Sequence, residues 1–120
     1  MANRLHFQVF AMDKLDRLLK SQKELSIELA SERYPSTVEQ RIALLCLAII
    51  HESVELQRLT NWKWWKRPRE FDIENAKEEL IDMWHFLLQA SIELGMTGDD
   101  ILQYYMKKNE INKIRRKSNY

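Results

Sequence analysis

Two pairs of acids occur where a helix would ordinarily stay apolar. Glu52 and Glu55 follow directly on the apolar run Ile42 to Ile50, and Glu79 and Asp82 come directly before another apolar run around Phe86. At about 100° per residue, side chains three positions apart leave a helix from one face. Two such helices lying side by side would bring four carboxylates together. Glu52 lies three and four residues after Ile49 and Ala48, so it continues their apolar face, and Asp82 lies four residues before Phe86. Clustered acids repel and shift one another's pKa unless something positive sits among them. A hard divalent cation supplies that charge, and Mg²⁺ takes oxygen ligands. With one Cys and three His, a zinc site is not expected. On spacing alone, the acids could equally face solvent on ordinary helices.

A second chemical stretch is basic. In Tyr104-Tyr105-Met106-Lys107-Lys108-Asn109-Glu110-Ile111-Asn112-Lys113-Ile114-Arg115-Arg116, the residues Lys108, Asn112 and Arg115 share one helical face at spacings of four and three. A point charge, an amide and a guanidinium fork on one stripe suit phosphate oxygens. A solvated basic end favoured by the helix macrodipole would look the same. Between the acid pairs lies Trp62-Lys63-Trp64-Trp65-Lys66-Arg67-Pro68-Arg69. Its tryptophans could stack a base or cover a site, and could as well form an apolar lid or a subunit contact.

The elements that must carry these residues are helices. A length of 120 residues allows one domain, 1–120, and 45% hydrophobic with 31% charged residues is ordinary for a soluble chain. Two Gly and two Pro leave too little turn punctuation for a β fold. Helical periodicity runs from about Leu5 to Arg33, through Phe7, Phe10, Leu15, Leu18, Leu19, Leu25 and Leu29. Tyr34-Pro35-Ser36 breaks it, and Ser36-Thr37-Val38-Glu39 reads as a capping box for a second helix reaching Leu59 or Asn61. Ile42 to Ile50 is apolar nearly all round, as in a central helix, and Cys46 within it is expected to be buried. Asp72 is the expected N-cap of a third helix, which ends near Leu94 at the stop signal Gly95. Thr97 with Asp100 can cap a fourth helix, from about Gly98 to Lys117. The predicted fold is all-α, an antiparallel four-helix bundle.

A net charge of +1 speaks against a nucleic-acid-coating protein. The longest apolar stretch is too short to span a bilayer. The beginning of the chain lacks a basic region followed by an apolar run, so no signal peptide is expected. One cysteine permits no internal disulfide, and the expected location is cytoplasmic.

In this order the elements resemble the all-α NTP pyrophosphatase superfamily, which includes MazG-type enzymes and dimeric dUTPases. The superfamily's E-x-x-E and E-x-x-D are matched by Glu52-Ser53-Val54-Glu55 and Glu79-Leu80-Ile81-Asp82. The dUTPase branch adds a Trp-Lys-rich connection, matched by Asn61 to Lys66, and His-Phe, matched by His85-Phe86. Its closing series is matched by Lys108-Asn109, Asn112, Arg115 and Asn119-Tyr120. The chain departs from the branch at Asn119, where Gly is usual, and at Leu25 and Ser26, where an Asn often helps read uracil. The resemblance implies Mg²⁺ held by Glu52, Glu55, Glu79 and Asp82, with Glu52 or Glu55 acting on the attacking water. It implies phosphate contacts from Lys63, Lys66, Tyr105, Lys108, Asn112 and Arg115, and base contacts from Gln22, Trp64, His85 and Phe86. The implied activity is hydrolysis of a nucleoside triphosphate, above all dUTP, to the monophosphate and pyrophosphate. The implied assembly is a homodimer or larger homo-oligomer. Other readings are a pyrophosphatase of the same superfamily acting on dCTP or a modified nucleotide, a non-catalytic helical interaction module, and a basic nucleic-acid binder. A nucleic-acid binder gains nothing from four converging acids.

Overall fold

Four short polar side chains start the four helices of the described residues. In the computed structural model, which describes residues 12–118, Asp13, Thr37, Asp72 and Thr97 each accept a hydrogen bond from the backbone N–H three residues on. Each thereby satisfies one of the donors that a helix start leaves open. The helices are α1 (Lys14–Leu29), α2 (Val38–Gln57), α3 (Ile73–Glu93) and α4 (Gly98–Lys117). Only α4 has the reciprocal box, with the Asp100 carboxylate accepting from the Thr97 N–H at 2.9 Å. At α2 the cap is Thr37 paired with Gln40, one residue later than the predicted Ser36–Glu39 box, because Thr37 holds the extended backbone that a cap requires. Gly95, at φ 73°, ends α3. Its N–H reaches the Ile92 carbonyl, and the Met96 N–H reaches that of Ser91, the paired bonds of a Schellman stop.

The first helix is shorter than its periodicity predicts. Leu5, Phe7 and Phe10 lie outside the described residues. Within them, Asp13 caps a start at Lys14, and at the other end Ser31 to Tyr34 close a turn through a 3.0 Å bond. Similarly, α2 stops at Gln57, where the Thr60 N–H turns back onto the Gln57 carbonyl.

The closest packing is between α2 and α3, with α1 lying against α3. Arg41 meets Glu93 and Glu52 meets Asp82, so α2 advances as α3 retreats and the pair is antiparallel. The fourth helix touches α1 at its own first turn, where Gly98 lies against Leu15 and Asp16. Beyond Ile101 most of it is exposed. The fold is all-α with the four helices in the expected order, consistent with the expected bundle, and among the described residues the closest side-by-side packing is within α1–α3. The radius of gyration, 18.8 Å, exceeds the ~13 Å of a compact domain this size.

Apolar surface is correspondingly uncovered. Leu19, Leu45 and Leu88 are the buried apolar side chains among the described residues. Leu44, Leu47 and Ile50 of α2 and Ile81, Trp84 and Leu87 of α3 are exposed. The all-round apolar run of α2 is therefore covered on one face only, and Cys46, expected to be buried, is exposed for the same reason.

What fastens the three packed helices is polar. Glu93 of α3, its side chain 10% exposed, accepts from Arg41 of α2 at 3.2 Å and from Tyr34 of the α1–α2 connection at 2.7 Å. Arg41 also donates to the Pro35 carbonyl and lies over the Tyr34 ring. Burial alone would push the Glu93 carboxyl up, but hydrogen bonds from Tyr34, Arg41 and Gln89 outweigh it and hold the group below the usual carboxylate range. A depressed folded pKa contributes stability that is full above the unfolded value and is lost as pH falls through the folded one. Arg41→Ala should therefore cost about 1.5–3 kcal/mol near neutrality, the worth of a charge-assisted bond. Urea titrations of both proteins check this, and the gap between them should close as pH is lowered through the carboxylate range.

Candidate active site

The α2–α3 pairing sets the acids against one another. One carboxylate oxygen from each of Glu52, Glu79 and Asp82 lies within 4.8 Å of the others, with Glu52 and Glu79 half-buried and Asp82 exposed. Glu55 stands one turn along α2 and leans toward Arg58 at 3.6 Å. Desolvation, then the charges of Asp82, Glu52, Glu55 and Glu78, push the Glu79 carboxyl above its usual range. Four acids thus act on Glu79 with no cation among the causes, which is the electrostatic condition that a bound cation relieves. The donor set fits a hard cation, since Mg²⁺ takes oxygen ligands and three carboxylates offer them within 4.8 Å of one another.

Beside the acids lies a cavity of about 520 Å³, within the size range of small-molecule sites. Leu25, Leu29 and Leu45 give it apolar walls, and Phe86 gives an aromatic one. Gln22, His85 and Gln89 supply polar atoms, and Glu52 and Asp82 reach its lining from the acid group. Its polar side chains are joined: Gln22 meets the His85 ring at 3.0 Å and donates to Gln89 at 3.1 Å. The structure therefore brings together Glu52, Glu79, Asp82, Gln22, His85 and Phe86 from the sequence reading, with Glu55 at the margin.

It does not bring the remaining candidates to this cavity within one chain. Trp64 is 85% exposed and packs edge-on against Trp65, which packs edge-on against Trp62. Lys63 and Lys66 line a separate hollow of about 630 Å³ with Arg58, Trp62, Arg67 and Arg69. That connection is held by Asn61, whose side-chain amide donates to the Arg69 carbonyl at 2.7 Å and accepts from the Arg69 N–H at 2.9 Å. Tyr105, Lys108, Asn112 and Arg115 sit on the exposed part of α4, and Asn119 and Tyr120 lie outside the described residues.

The residues that the sequence reading missed are Gln89, Glu93, Arg41 and Tyr34. Gln89 is buried, at 7% exposure, and lies between the cavity and Glu93. A signal existed: His85, Gln89 and Glu93 recur every fourth residue, a polar stripe along one helix face. Their value depends on partners from α1 and α2, which helical spacing alone does not supply.

A family model described as dUTPase matches residues 14–97. No curated protein and no solved structure matches the chain. The matched segment carries α1, α2 and α3 entire, and with them the acid group and the cavity. By that match and its helical architecture, the chain belongs to the all-α dUTPase family.

Proposed function

We propose that the protein hydrolyses a deoxynucleoside triphosphate, foremost dUTP, between its α and β phosphates to give the monophosphate and pyrophosphate. The observation carrying this reading is the continuity of one cavity. It joins hydrogen-bonding groups and an aromatic ring, suited to a base, directly to an acid group suited to metal-bound phosphates. Phe86 would stack on the base and Gln22 and His85 would read its edge. Glu52, Glu79 and Asp82 would hold Mg²⁺, with Glu55 joining on release from Arg58. When bound, the ion neutralises phosphate charge and lowers the pKa of a coordinated water. Glu52 or Glu55 would orient that water or take its proton. Activity on dCTP or a modified nucleotide is the second reading, since Leu25 and Ser26 stand where the family often places an Asn that helps read uracil.

The phosphate-binding role assigned to Tyr105, Lys108, Asn112 and Arg115 calls for a second copy of the chain. Among the described residues, the main packing of α4 is on the start of α1, while the exposed apolar faces of α2 and α3 require cover. A homo-oligomer would meet both needs, and Lys63 and Lys66 would lie among its phosphate contacts.

Incubation with each dNTP and Mg²⁺, scored for pyrophosphate, tests the activity directly, and dUTP should be turned over fastest. Release from none of them would end the reading. Glu79→Gln and Asp82→Asn should each abolish turnover while helical circular dichroism is kept. The Glu79 carboxyl titrates above its usual range, so its charge opposes folding at neutral pH and that opposition fades on acidification. Without divalent ions, Glu79→Gln should therefore melt no lower than the parent. Arg115→Ala should lower kcat/KM by roughly ten- to a hundredfold, the worth of a charge-assisted contact. Lys117→Ala, which removes the same charge from the same helix, should change it little. Light scattering at micromolar protein should give at least twice the chain mass, and a strictly monomeric mass would refute the assembly.

A further inference from the structure

Six side chains form a hydrogen-bonded line whose direction is set at one end. Glu93 is a carboxylate held ionised by the hydrogen bonds of Tyr34 and Arg41, so it can only accept. One oxygen takes the Arg41 guanidinium at 3.2 Å, and the other takes Tyr34 at 2.7 Å and Gln89 at 3.0 Å. Gln89 must therefore turn its NH₂ to Glu93, which leaves its carbonyl oxygen for the Gln22 NH₂ at 3.1 Å. Gln22 is then left with its own oxygen facing His85 Nδ1 at 3.0 Å. For that contact to be a hydrogen bond, Nδ1 must carry the proton. Turning Gln89 over would set oxygen against carboxylate on one side and NH₂ against NH₂ on the other. At 7% exposure little water is at hand to compensate, and unmade bonds at a buried amide are costly.

The consequence falls on the cavity. With Nδ1–H committed to Gln22, a neutral His85 keeps Nε2 as a bare acceptor, and Gln22 keeps one N–H that Gln89 does not use. We propose that Glu93 and Gln89 are positioning residues that set the hydrogen-bond direction of the cavity's polar side. They hold Gln22 and His85 so that an acceptor stands beside a donor. The edge this fits is a ring N–H next to a carbonyl oxygen, as on a pyrimidine dione. This assignment of an edge rests on the nucleotide reading above. The direction of the line does not.

Two measurements test it on the full chain. The first is the ring tautomer of His85, read by ¹⁵N NMR at a pH where the imidazole is neutral and assigned against His85→Gln. The wild type should show the Nδ1–H form. Glu93→Gln, which can present either an oxygen or an NH₂ to Gln89, should show a mixture. The exchange variant Gln89→Glu with Glu93→Gln puts an acceptor-only group directly against Gln22, and it should restore the Nδ1–H form. The second is steady-state discrimination between dUTP and dCTP. It should fall by about tenfold in Glu93→Gln, the loss of one oriented hydrogen bond, chiefly through KM, and recover in the exchange variant. An Nε2–H tautomer in the wild type overturns the proposal without reference to any variant. So does a folded Glu93→Gln that keeps both its tautomer and its discrimination. The tautomer is read without turnover, so a chain that hydrolyses no dNTP would sink the nucleotide reading and leave the line of hydrogen bonds to stand or fall on the NMR alone.

Discussion

Packing α2 antiparallel on α3 is the arrangement from which the rest follows, and its two ends are electrically opposite. Near one end Arg41 meets Glu93 at 3.2 Å, a charge met by its complement. Toward the other, Glu52 meets Glu79 and Asp82 within 4.8 Å, a charge met by its like. The helix pair is thus fastened where the charges match and strained where they do not. Acids that repel at the edge of a cavity are poor structural choices and good sites for a cation, and perturbed carboxyls cluster at functional sites for this reason. Like-charge repulsion can persist there because the polar fastening, together with the contacts of Leu45 and Leu88, holds the two helices in place regardless.

Local features of this fold were legible in the sequence, because they are decided within a few residues. Asp72 and Thr97 cap where side-chain chemistry predicts, and Gly95 stops α3 because only a residue without a Cβ takes φ 73° freely. The acid pairs were legible for a similar reason: three-residue spacing fixes a shared face before any partner is known. The one-residue error at the α2 cap shows the limit of that kind of reading. Ser36 and Thr37 are chemically equivalent caps, and the extended backbone at Thr37 decides between them.

What the sequence could not give depends on neighbours. Gln89 is an ordinary helix residue until Gln22 of α1 and Glu93 one turn on supply its partners. The apolar run Ile42 to Ile50 reads as the centre of a bundle, yet Cys46, Leu47 and Ile50 face outward here. Hydrophobicity says that a face must be covered and is silent on whether the same chain covers it. The basic stripe of α4 poses the same problem in electrostatic form: Lys108, Asn112 and Arg115 are spaced for phosphate, but on the exposed part of a helix whose main packing is on α1 rather than on the helices that carry the acids.

The pair of hydrogen bonds between the Asn61 side chain and the backbone of Arg69 bears on the connection between α2 and α3. A chain of that length joining two packed helices would ordinarily sample many shapes. Here one amide closes its ends into a ring, with donor and acceptor both used, so Lys63, Lys66 and Arg67 are carried on a frame rather than on a tether. The conformational entropy of that segment is surrendered when the chain folds, and little of it is left to lose when an anion arrives. Cations set in advance attract a ligand at lower entropic cost than cations gathered by it. If Lys63 and Lys66 make the phosphate contacts proposed above, the rigidity of this loop would itself contribute to affinity, through a neutral side chain that need never touch what is bound.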